Sequence, residues 1–271
     1  MAFITKSDIA TTCDFGSQMS QYASMLCIAK KYNYEVLFLK EKINDRWKLP
    51  LKEPFIHVPK IVSIYDLKDF KLNKITGNLS DHQLDPNVNY DLHIDLGLFT
   101  HFDEIRSEIL EVYKFKEEIQ EFSKNYIKNI KTDENDLLVS LHFRRGDYLQ
   151  FSSLNLSMDY YIEAINKMTS LYHDNNLKFL VFSNDLEWCK QNIVGECIFV
   201  ENLGRYHDMC IMSLCDHNII ANSSFSWWGA YLNKSLNKTV ICPHDYLNVP
   251  GLNHLVNGKY YPKEWVALNT L

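Results

Sequence analysis

The chain has 271 residues, of which 46% are hydrophobic and 23% are charged, with only nine Gly and seven Pro. This composition excludes collagen-like, low-complexity and globally disordered chains, and it predicts a soluble globular protein with a sizeable core. The net charge of -6 at pH 7 is opposite in sign to that expected of a protein that binds nucleic-acid phosphates, so we expect no nucleic-acid partner. Any anionic ligand must therefore meet local positive charge.

The N-terminus, the longest uncharged stretch and the cysteines together predict a cytoplasmic location. Residues 1–8 have no basic lead followed by an apolar region, so they do not resemble a signal peptide. Residues 218–233 are uncharged but contain several Asn and Ser, and a membrane-spanning helix needs about 20 mostly apolar residues. The seven cysteines are scattered and form no C-x-x-C pair, so we expect reduced, buried thiols rather than a zinc site.

The first part of the chain alternates strand and helix signals. We expect a strand over residues 2–5, a helix over residues 16–31 with apolar residues at helical spacing, and a buried strand over residues 36–39. Residues 45–89 contain four prolines and are predicted to be mixed and partly irregular. The order is typical of half of an α/β nucleotide-type fold.

One or two helices with an apolar stripe are predicted between residues 100 and 131. The stripe is interrupted near residues 113–114, and an acidic, polar stretch follows at residues 132–136. We place the domain boundary at this stretch. It gives an N-terminal domain over residues 1–131 and a C-terminal domain over residues 132–271.

The second part of the chain alternates apolar strands with helical segments in a regular way. Strands are predicted at residues 137–141, 179–182, 198–200, 218–221 and 239–242, and helices at residues 159–171 and 208–214. Such alternation predicts a parallel sheet with helices on both faces. In that architecture ligands bind beyond the carboxyl ends of the strands, so the residues that follow each strand are the candidate site residues.

The strand at residues 137–141 is followed by a polar loop that contains a histidine, two adjacent arginines, a glycine and an aspartate. These residues are His142, Arg144, Arg145, Gly146 and Asp147. Arginine presents a rigid fork of donors, so this loop could clamp a diphosphate at the sheet edge. The alternative is an Arg–Asp pair that only holds the loop together. The position at a strand end, followed by further anion-compatible loops, favours the diphosphate.

Two later loops carry polar groups at strand ends. Asp185 follows the strand at residues 179–182, where its carboxylate could accept paired hydrogen bonds from guanine or cap the helix that follows. The third loop opens a helix with small hydroxyl side chains, which is a natural phosphate-binding arrangement. Its residues are Asn222, Ser223, Ser224 and Phe225. The tryptophan pair after this loop is expected to pack rather than to react.

Five segments in this order resemble the α-1,2-fucosyltransferases of glycosyltransferase family 11. They are F-G-S-Q-M-S-Q-Y-A at residues 15–23, H-F-R-R-G-D-Y at 142–148, F-S-N-D at 182–185, I-I-A-N-S-S-F-S-W-W-G-A at 219–230 and Y-P-K-E-W at 261–265. The resemblance covers nearly the whole chain. The arginine and serine segments are highly specific when they occur together.

The resemblance implies an α/β fold of the GT-B type, in which two Rossmann-like domains with parallel sheets face each other. It implies that the C-terminal domain holds GDP-fucose and that the N-terminal domain helps to hold the acceptor sugar. It also implies inversion at the anomeric carbon, with no divalent metal and no cofactor beyond the donor substrate. The two arginines would then supply the counter-charge for the leaving diphosphate.

The resemblance also assigns roles to the candidate residues. It places Arg144 on the β-phosphate, His142 beside the nucleotide and Asp185 on guanine. It adds a set that surrounds the donor, namely Gly16, Ser17, Gln18, Asn222, Ser223, Ser224 and Phe225. Arg145 and Asp147 would bind the donor or organise the loop, and Asp147 is also the candidate base. Asp14 and Ser17 stand where the family has a basic or glycine residue and an asparagine.

The sequence leaves three functions open. The first is transfer of L-fucose from GDP-fucose to O-2 of a terminal galactose in surface-glycan synthesis. The second is transfer of another GDP-linked 6-deoxysugar by the same fold, and the third is a non-catalytic protein that binds a sugar nucleotide or a glycan. The expected partners are a GDP-sugar and a glycan acceptor, with peripheral contact with lipid-linked glycans left open and no oligomeric state predicted.

Overall fold

The computed structural model describes residues 1–9, 14–43, 49–67, 71–94, 96, 99–151, 154–246 and 260–269. The chain divides into two units, Met1–Lys114 and Phe115–Leu271, which are called unit 1 and unit 2. Within the described ranges, no helix is long and apolar enough to cross a membrane.

Unit 1 contains a parallel sheet in the order β2-β1-β6-β5 and a separate parallel pair, β3-β4. The strands are β1 Phe3–Thr5, β2 Glu35–Val36, β3 Phe38–Leu39, β4 Ile61–Val62, β5 Asn73–Thr76 and β6 Tyr90–His93. Two helices, α1 Phe15–Tyr32 and α2 Arg106–Val112, and several short 3-10 turns complete the described part of the unit.

Helix α1 is capped at both ends, by a side chain at its start and by a backbone N–H at its end. Asp14 caps its N-terminus by accepting a hydrogen bond from the backbone N–H of Ser17, and Asn33 ends it in the left-handed conformation with φ 60°. Lys30 and Lys31 in the last turn lie at the negative end of the helix dipole. The predicted helix over residues 16–31 is therefore confirmed.

The strand predicted at residues 36–39 is divided in two at Leu37. The backbone N–H of Leu37 donates to the carbonyl of Ile4 in the main sheet, whereas that of Phe38 donates to the carbonyl of Lys60. The chain thus changes its pairing partner from β1 to β4 between consecutive residues. The continuous apolar run over residues 36–39 carries no local sign of this change of partner.

Unit 2 contains a parallel sheet in the order β12-β11-β10-β7-β8-β9. Its strands are β7 Asp136–Phe143, β8 Asn176–Ser183, β9 Cys197–Phe199, β10 His217–Ile219, β11 Val240–Pro243 and β12 Val266–Leu268. Its helices are α3 Glu117–Ile130, α4 Met158–Leu171, α5 Leu186–Asn192, α6 Arg205–Leu214 and α7 Ser224–Leu232. The five strands predicted after residue 131 are present, and β12 was missed.

Both faces of this sheet are buried. Val139 and Leu141 of β7 belong to a core cluster with residues of α4, whereas Leu138 belongs to a cluster with residues of α6. Successive side chains of a strand point to opposite faces, so a strand buried on both sides must be apolar at nearly every position. The continuous apolar run at residues 137–141 therefore predicted the right strand.

The structural division between the units lies at Lys114 and Phe115, before the boundary predicted at residues 131 and 132. The interruption near residues 113–114 separates α2 from α3. Helix α3 packs on unit 2, where Tyr126 and Ile130 lie against the cluster of Leu138 and Phe122 contacts the ring of His207. The amphipathic helix thus belongs with unit 2, because its apolar stripe is covered by that unit.

Asp136 fixes the amino end of β7. Its buried carboxylate lies 2.7 Å from Lys178 Nζ and accepts hydrogen bonds from the backbone N–H groups of Thr132 and Asp133 and from the side chain of Asn176. The hydrogen bond from Lys178, followed by these other donors, holds the pKa of Asp136 well below its usual range.

Asp136→Asn is expected to lower the thermal unfolding midpoint at pH 7. The pKa of Asp in an unfolded chain is about 3.9. The stabilisation that the ionised Asp136 provides is therefore fully present above that pH and is lost as the pH falls through the lower pKa of the folded state. Thermal melts of both proteins from neutral to acid pH should therefore converge at low pH. Asp174→Asn, at an exposed carboxylate, is the control, and a gap that does not change with pH would contradict the assignment.

Candidate active site in unit 2

Three loops that carry predicted site residues meet at one edge of the unit 2 sheet. Strand β7 pairs in parallel with β10 on one side and with β8 on the other. The carboxyl ends of the three strands consequently lie at the same edge, as predicted for ligand binding in an open α/β sheet. A hydrogen bond of 3.2 Å from Tyr148 Oη to the carbonyl of Asn222 joins the first loop to the third.

Arg144 is held by a neighbour in its own loop. Its Nη2 lies 2.9 Å from each carboxylate oxygen of Asp147, and its guanidinium lies 5.1 Å from the ring centroid of Tyr148. Its Nε is buried and has no hydrogen-bond partner among the described residues. Arg144 therefore keeps one buried donor for a ligand while Asp147 fixes the other end of its guanidinium.

His142 is a neutral, buried imidazole at the end of β7. Burial, and secondly the charge of Arg144, lower its pKa to about 3. Its ring centroid lies 5.7 Å from that of Phe225, and Nδ1 has no hydrogen-bond partner within the described ranges. Near neutral pH the side chain offers a ligand a hydrogen bond but no positive charge.

Arg145 turns toward the second loop instead of joining Arg144. Its Nε lies 3.2 Å from Asp185 Oδ2, and its guanidinium lies 3.5 Å from the ring centroid of Trp188. Asp185 Oδ1 accepts the backbone N–H of Trp188 at 3.4 Å, so this carboxylate caps α5. The capping alternative for Asp185 is thus present in the structure, and its contact with guanine stays a prediction.

Gly146 allows the two loops to approach each other. It has φ +56°, and a Cβ built on it would lie 2.4 Å from Asn184 Nδ2. The Asn184 side chain bonds the backbone of Arg145 twice, accepting from its N–H at 2.9 Å and donating to its carbonyl at 3.3 Å. The glycine therefore makes room for the amide that holds Arg145 in place.

The third loop opens a helix, as predicted. Ser223 caps α7 by accepting the backbone N–H of Phe225, and Ser224 is the first helical residue. Asn222 donates to the carbonyl of Leu154 at 3.0 Å, and its Oδ1 is buried without a partner in the described part of the chain. The positive end of the helix dipole and these small side chains lie at the same sheet edge as the arginines. Trp227 and Trp228 are buried, as expected of packing residues.

Gly16, Ser17 and Gln18 do not lie in a loop and belong to unit 1. All three are in the first turns of α1, with Gly16 and Gln18 buried and Ser17 partly exposed. Asp14 caps the helix and starts it at Phe15, so these residues lie at the helix start, and their place beside the donor stays a prediction. The acidic Asp14, a departure from the family pattern, thus has a structural role. Cys13 lies outside the described residues.

Sequence reasoning missed a polar cluster at the carboxyl ends of β1 and β6, which we call the His93 cluster. It consists of Lys6, Ser7, Asp8, Asp91 and His93. The imidazole lies between two carboxylates, with Nε2 2.9 Å from Asp91 Oδ2 and Nδ1 3.3 Å from Asp8 Oδ2. The alternation of apolar and polar residues over Tyr90–His93 was the signal that could have revealed this strand and its polar side.

The parallel sheets of the two units, with helices packed on them, are the architecture of the GT-B fold. The solved structure of the α-1,6-fucosyltransferase NodZ soaked with GDP-fucose is similar in fold, with a TM-score of 0.59 at 12% identity, over 86% of this chain and 93% of that one. The chain belongs to glycosyl transferase family 11, whose family model matches residues 2–269.

Curated relatives in this family carry related names. O-antigen biosynthesis glycosyltransferase WbnK of Escherichia coli is 29% identical over 85% of this chain and 91% of its own length. An alpha-1,2-colitosyltransferase of Escherichia coli is 36% identical over 48% of this chain and 47% of its length. Galactoside alpha-(1,2)-fucosyltransferase 1 of Ateles belzebuth is 25% identical over 80% of this chain and 63% of its length.

Gly146→Ala is expected to weaken binding of GDP, the nucleotide that the family resemblance predicts as ligand, because the new methyl group displaces Asn184 and frees the backbone of Arg145. The positive φ adds strain of about 1–3 kcal/mol to the loss of stability. Gly195→Ala is the matched control, since Gly195 has φ +114° but no atom within 4 Å of the point where a Cβ would lie. Calorimetric titration with GDP and thermal melts should show destabilisation in both variants and weaker binding only in Gly146→Ala. Equal GDP affinity in the two would contradict the role of Asn184.

Proposed function

We propose that this enzyme transfers L-fucose from GDP-fucose to O-2 of a terminal galactose, with inversion at the anomeric carbon, during synthesis of a surface glycan. The observation that carries the proposal is a set of buried polar atoms without partners among the described residues, all at the carboxyl edge of the unit 2 sheet. They are His142 Nδ1, Arg144 Nε and Asn222 Oδ1. Buried polar groups are nearly always hydrogen-bonded, so a ligand is the natural partner for these.

The chemistry of the loops suits a diphosphate leaving group. Negative charge develops on the diphosphate as its bond to the sugar breaks, and Arg144 with the N-terminus of α7 stabilises this charge. His142 donates or accepts a hydrogen bond without adding charge, since its pKa of about 3 keeps it neutral. With this counter-charge in place, we propose that the transfer needs no divalent metal.

Asp185 remains able to recognise guanine. A carboxylate has about four lone-pair directions, and Arg145 and the N–H of Trp188 occupy one on each oxygen. The side chain is 31% exposed, so the remaining lone pairs are accessible to the adjacent N–H groups of a guanine base. In this proposal Arg145 orients Asp185 rather than binding the diphosphate itself.

A second donor is supported by one comparison. The relative named an alpha-1,2-colitosyltransferase is more similar in its aligned part, at 36% identity, than the named fucosyltransferase. Colitose would enter as another GDP-linked deoxysugar, with the same guanine and diphosphate contacts. A protein that binds GDP-sugars without transferring them is the remaining alternative, and turnover separates it from both enzymes. The O-antigen setting is proposed from the name of the WbnK relative.

The donor is tested by binding and by turnover. GDP should raise the unfolding midpoint and UDP should not, because a ligand that binds only the folded state stabilises it by about 2.7 kcal/mol at a hundredfold excess over Kd. GDP-fucose and GDP-colitose are then compared with a β-galactoside acceptor, each with and without EDTA, and the linkage of the product is determined. Equal shifts with UDP and GDP would refute guanine recognition, and loss of activity in EDTA would refute metal independence.

Arg144→Ala should lower kcat/KM by a factor of about 10² or more, as loss of one transition-state donor does elsewhere. Arg144→Lys should restore little, because a point charge cannot reproduce the fork of donors. Arg205→Ala, which removes an exposed arginine of the same unit, is the control and should keep full activity. A folded Arg144→Ala enzyme with normal turnover would show that Arg144 does not contact the diphosphate.

A further inference from the structure

A pocket of about 410 Å³ lies within unit 1, and we call it the α1 pocket. Its lining comes from the last turns of α1, from the residues that follow β5 and β6, and from the 3-10 turns before α2. It contains none of the residues that the resemblance places around the donor. Pockets for small ligands are usually about 300–1,000 Å³, so this one has room for a small ligand or for one part of a longer one.

The buried part of the lining is apolar. Ile28 of α1 and Ile94 after β6 are buried, and Tyr32 adds an aromatic ring that is 37% exposed. Lys31 Nζ lies 5.5 Å from the centroid of this ring. A tyrosine has an apolar body and a polar tip, so this wall suits a ligand with C–H groups on one side and polar groups on the other.

The exposed part of the lining has hydrogen-bonding groups of both kinds. Lys31 is a donor, the carboxylate of Glu104 is an acceptor, and the amide of Asn78 is both. The two charges act on the same point of the pocket. Burial, and next the charge of Glu104, raise the pKa of the Cys27 thiol, whereas Lys31 lowers it.

This balance of charge favours a neutral ligand. A phosphate in the α1 pocket would meet the carboxylate of Glu104, and a cation would meet the ammonium of Lys31. A sugar ring has an apolar face of C–H groups and hydroxyl groups that each donate and accept. It therefore matches the apolar wall and both kinds of polar group at once.

The α1 pocket lies far along α1 from Gly16, Ser17 and Gln18, the residues that the resemblance places beside the donor. Cys27, the first pocket residue of the helix, follows Gln18 by nine positions. At 1.5 Å per residue this is about 14 Å along the helix axis. A sugar unit in the pocket is therefore too far from Gln18 to be the unit that receives the transferred sugar beside it.

We infer that the α1 pocket binds a neutral, non-reacting sugar unit of the acceptor glycan, an inference that rests on the proposed function. The apolar face of the sugar ring lies against Ile28 and Tyr32. Its hydroxyl groups bond to Lys31, Asn78 and Glu104. The enzyme therefore favours acceptors that are long enough to place one unit in the pocket while another one reacts.

Cys27 reports the occupancy of the α1 pocket, because its partly exposed thiol belongs to the lining. The probe is lacto-N-tetraose, a neutral tetrasaccharide that ends in a β-galactoside. The thiol is labelled with iodoacetamide at mildly alkaline pH, since the thiolate is the reactive form. At about ten times its Kd, the tetrasaccharide leaves about one site in ten free and should slow labelling of Cys27 about tenfold. Labelling of Cys197, a partly exposed thiol of unit 2, should keep its rate.

Asn78→Ala and Glu104→Ala each remove one hydrogen-bonding group at an exposed position. Each should raise the Kd of lacto-N-tetraose about tenfold and weaken the protection of Cys27, as expected for the loss of one hydrogen bond. In the transfer reaction, the KM of lacto-N-tetraose should rise about tenfold relative to that of lacto-N-biose, the disaccharide at its galactose end. Asn73→Ala and Asp103→Ala, at exposed positions outside the pocket, are controls that should keep the Kd and the ratio of KM values.

The inference and the proposed function fail in different ways. If the protein transfers sugar but lacto-N-tetraose does not protect Cys27, or the pocket variants keep the ratio of KM values, the inference is overturned and the proposed function stands. If the variants impair transfer to the disaccharide as much as to the tetrasaccharide, the pocket does not hold a non-reacting unit, and the inference is again overturned. If lacto-N-tetraose protects Cys27 but no GDP-deoxysugar is transferred, the pocket binds a glycan and the proposed function fails.

Discussion

The parallel pairing of β7 with β10 and β8 is the constraint on which the unit 2 site depends. Eight residues of β7 pair in register with β8, from Asp136 opposite Asn176 to Phe143 opposite Ser183. A shift of one residue would move the buried side chains of either strand from one core cluster into the other, where they do not fit the packing. The register therefore fixes the level at which the arginine loop, Asp185 and the serine loop leave the sheet, and the core on both faces holds that register.

Above this edge, charge is arranged so that each arginine has its own carboxylate. Arg144 is paired within its loop to Asp147, whereas Arg145 is paired to Asp185 of the neighbouring loop and stacked on Trp188. The carboxylates limit the mobility of the two guanidinium groups. A site built in this way is preorganised, so less of the binding energy is lost in ordering long side chains when an anionic ligand binds.

In unit 1, too, the pairing of parallel strands brings polar side chains together. Its parallel pair β1 and β6 brings Asp8 and His93 together at their carboxyl ends, although they are far apart in the chain. The first turns of α1, where the family resemblance places Gly16, Ser17 and Gln18 beside the donor, are a capped helix start.

The sequence by itself determined the α/β class, the strands of unit 2 except β12, and the identity of the loops that follow them. These follow from local periodicity and from motif residues that are adjacent in the chain, such as Arg144 and Arg145. Only the tertiary structure determined the contacts between segments that are distant in the chain. The tertiary structure shows that α3 packs with unit 2 and that the chain changes its pairing partner at Leu37. It also shows that Arg144 and Arg145 pair with different carboxylates. It also assembled the His93 cluster, because its two segments lie about 85 residues apart in the chain and only the pairing of β1 with β6 brings them together.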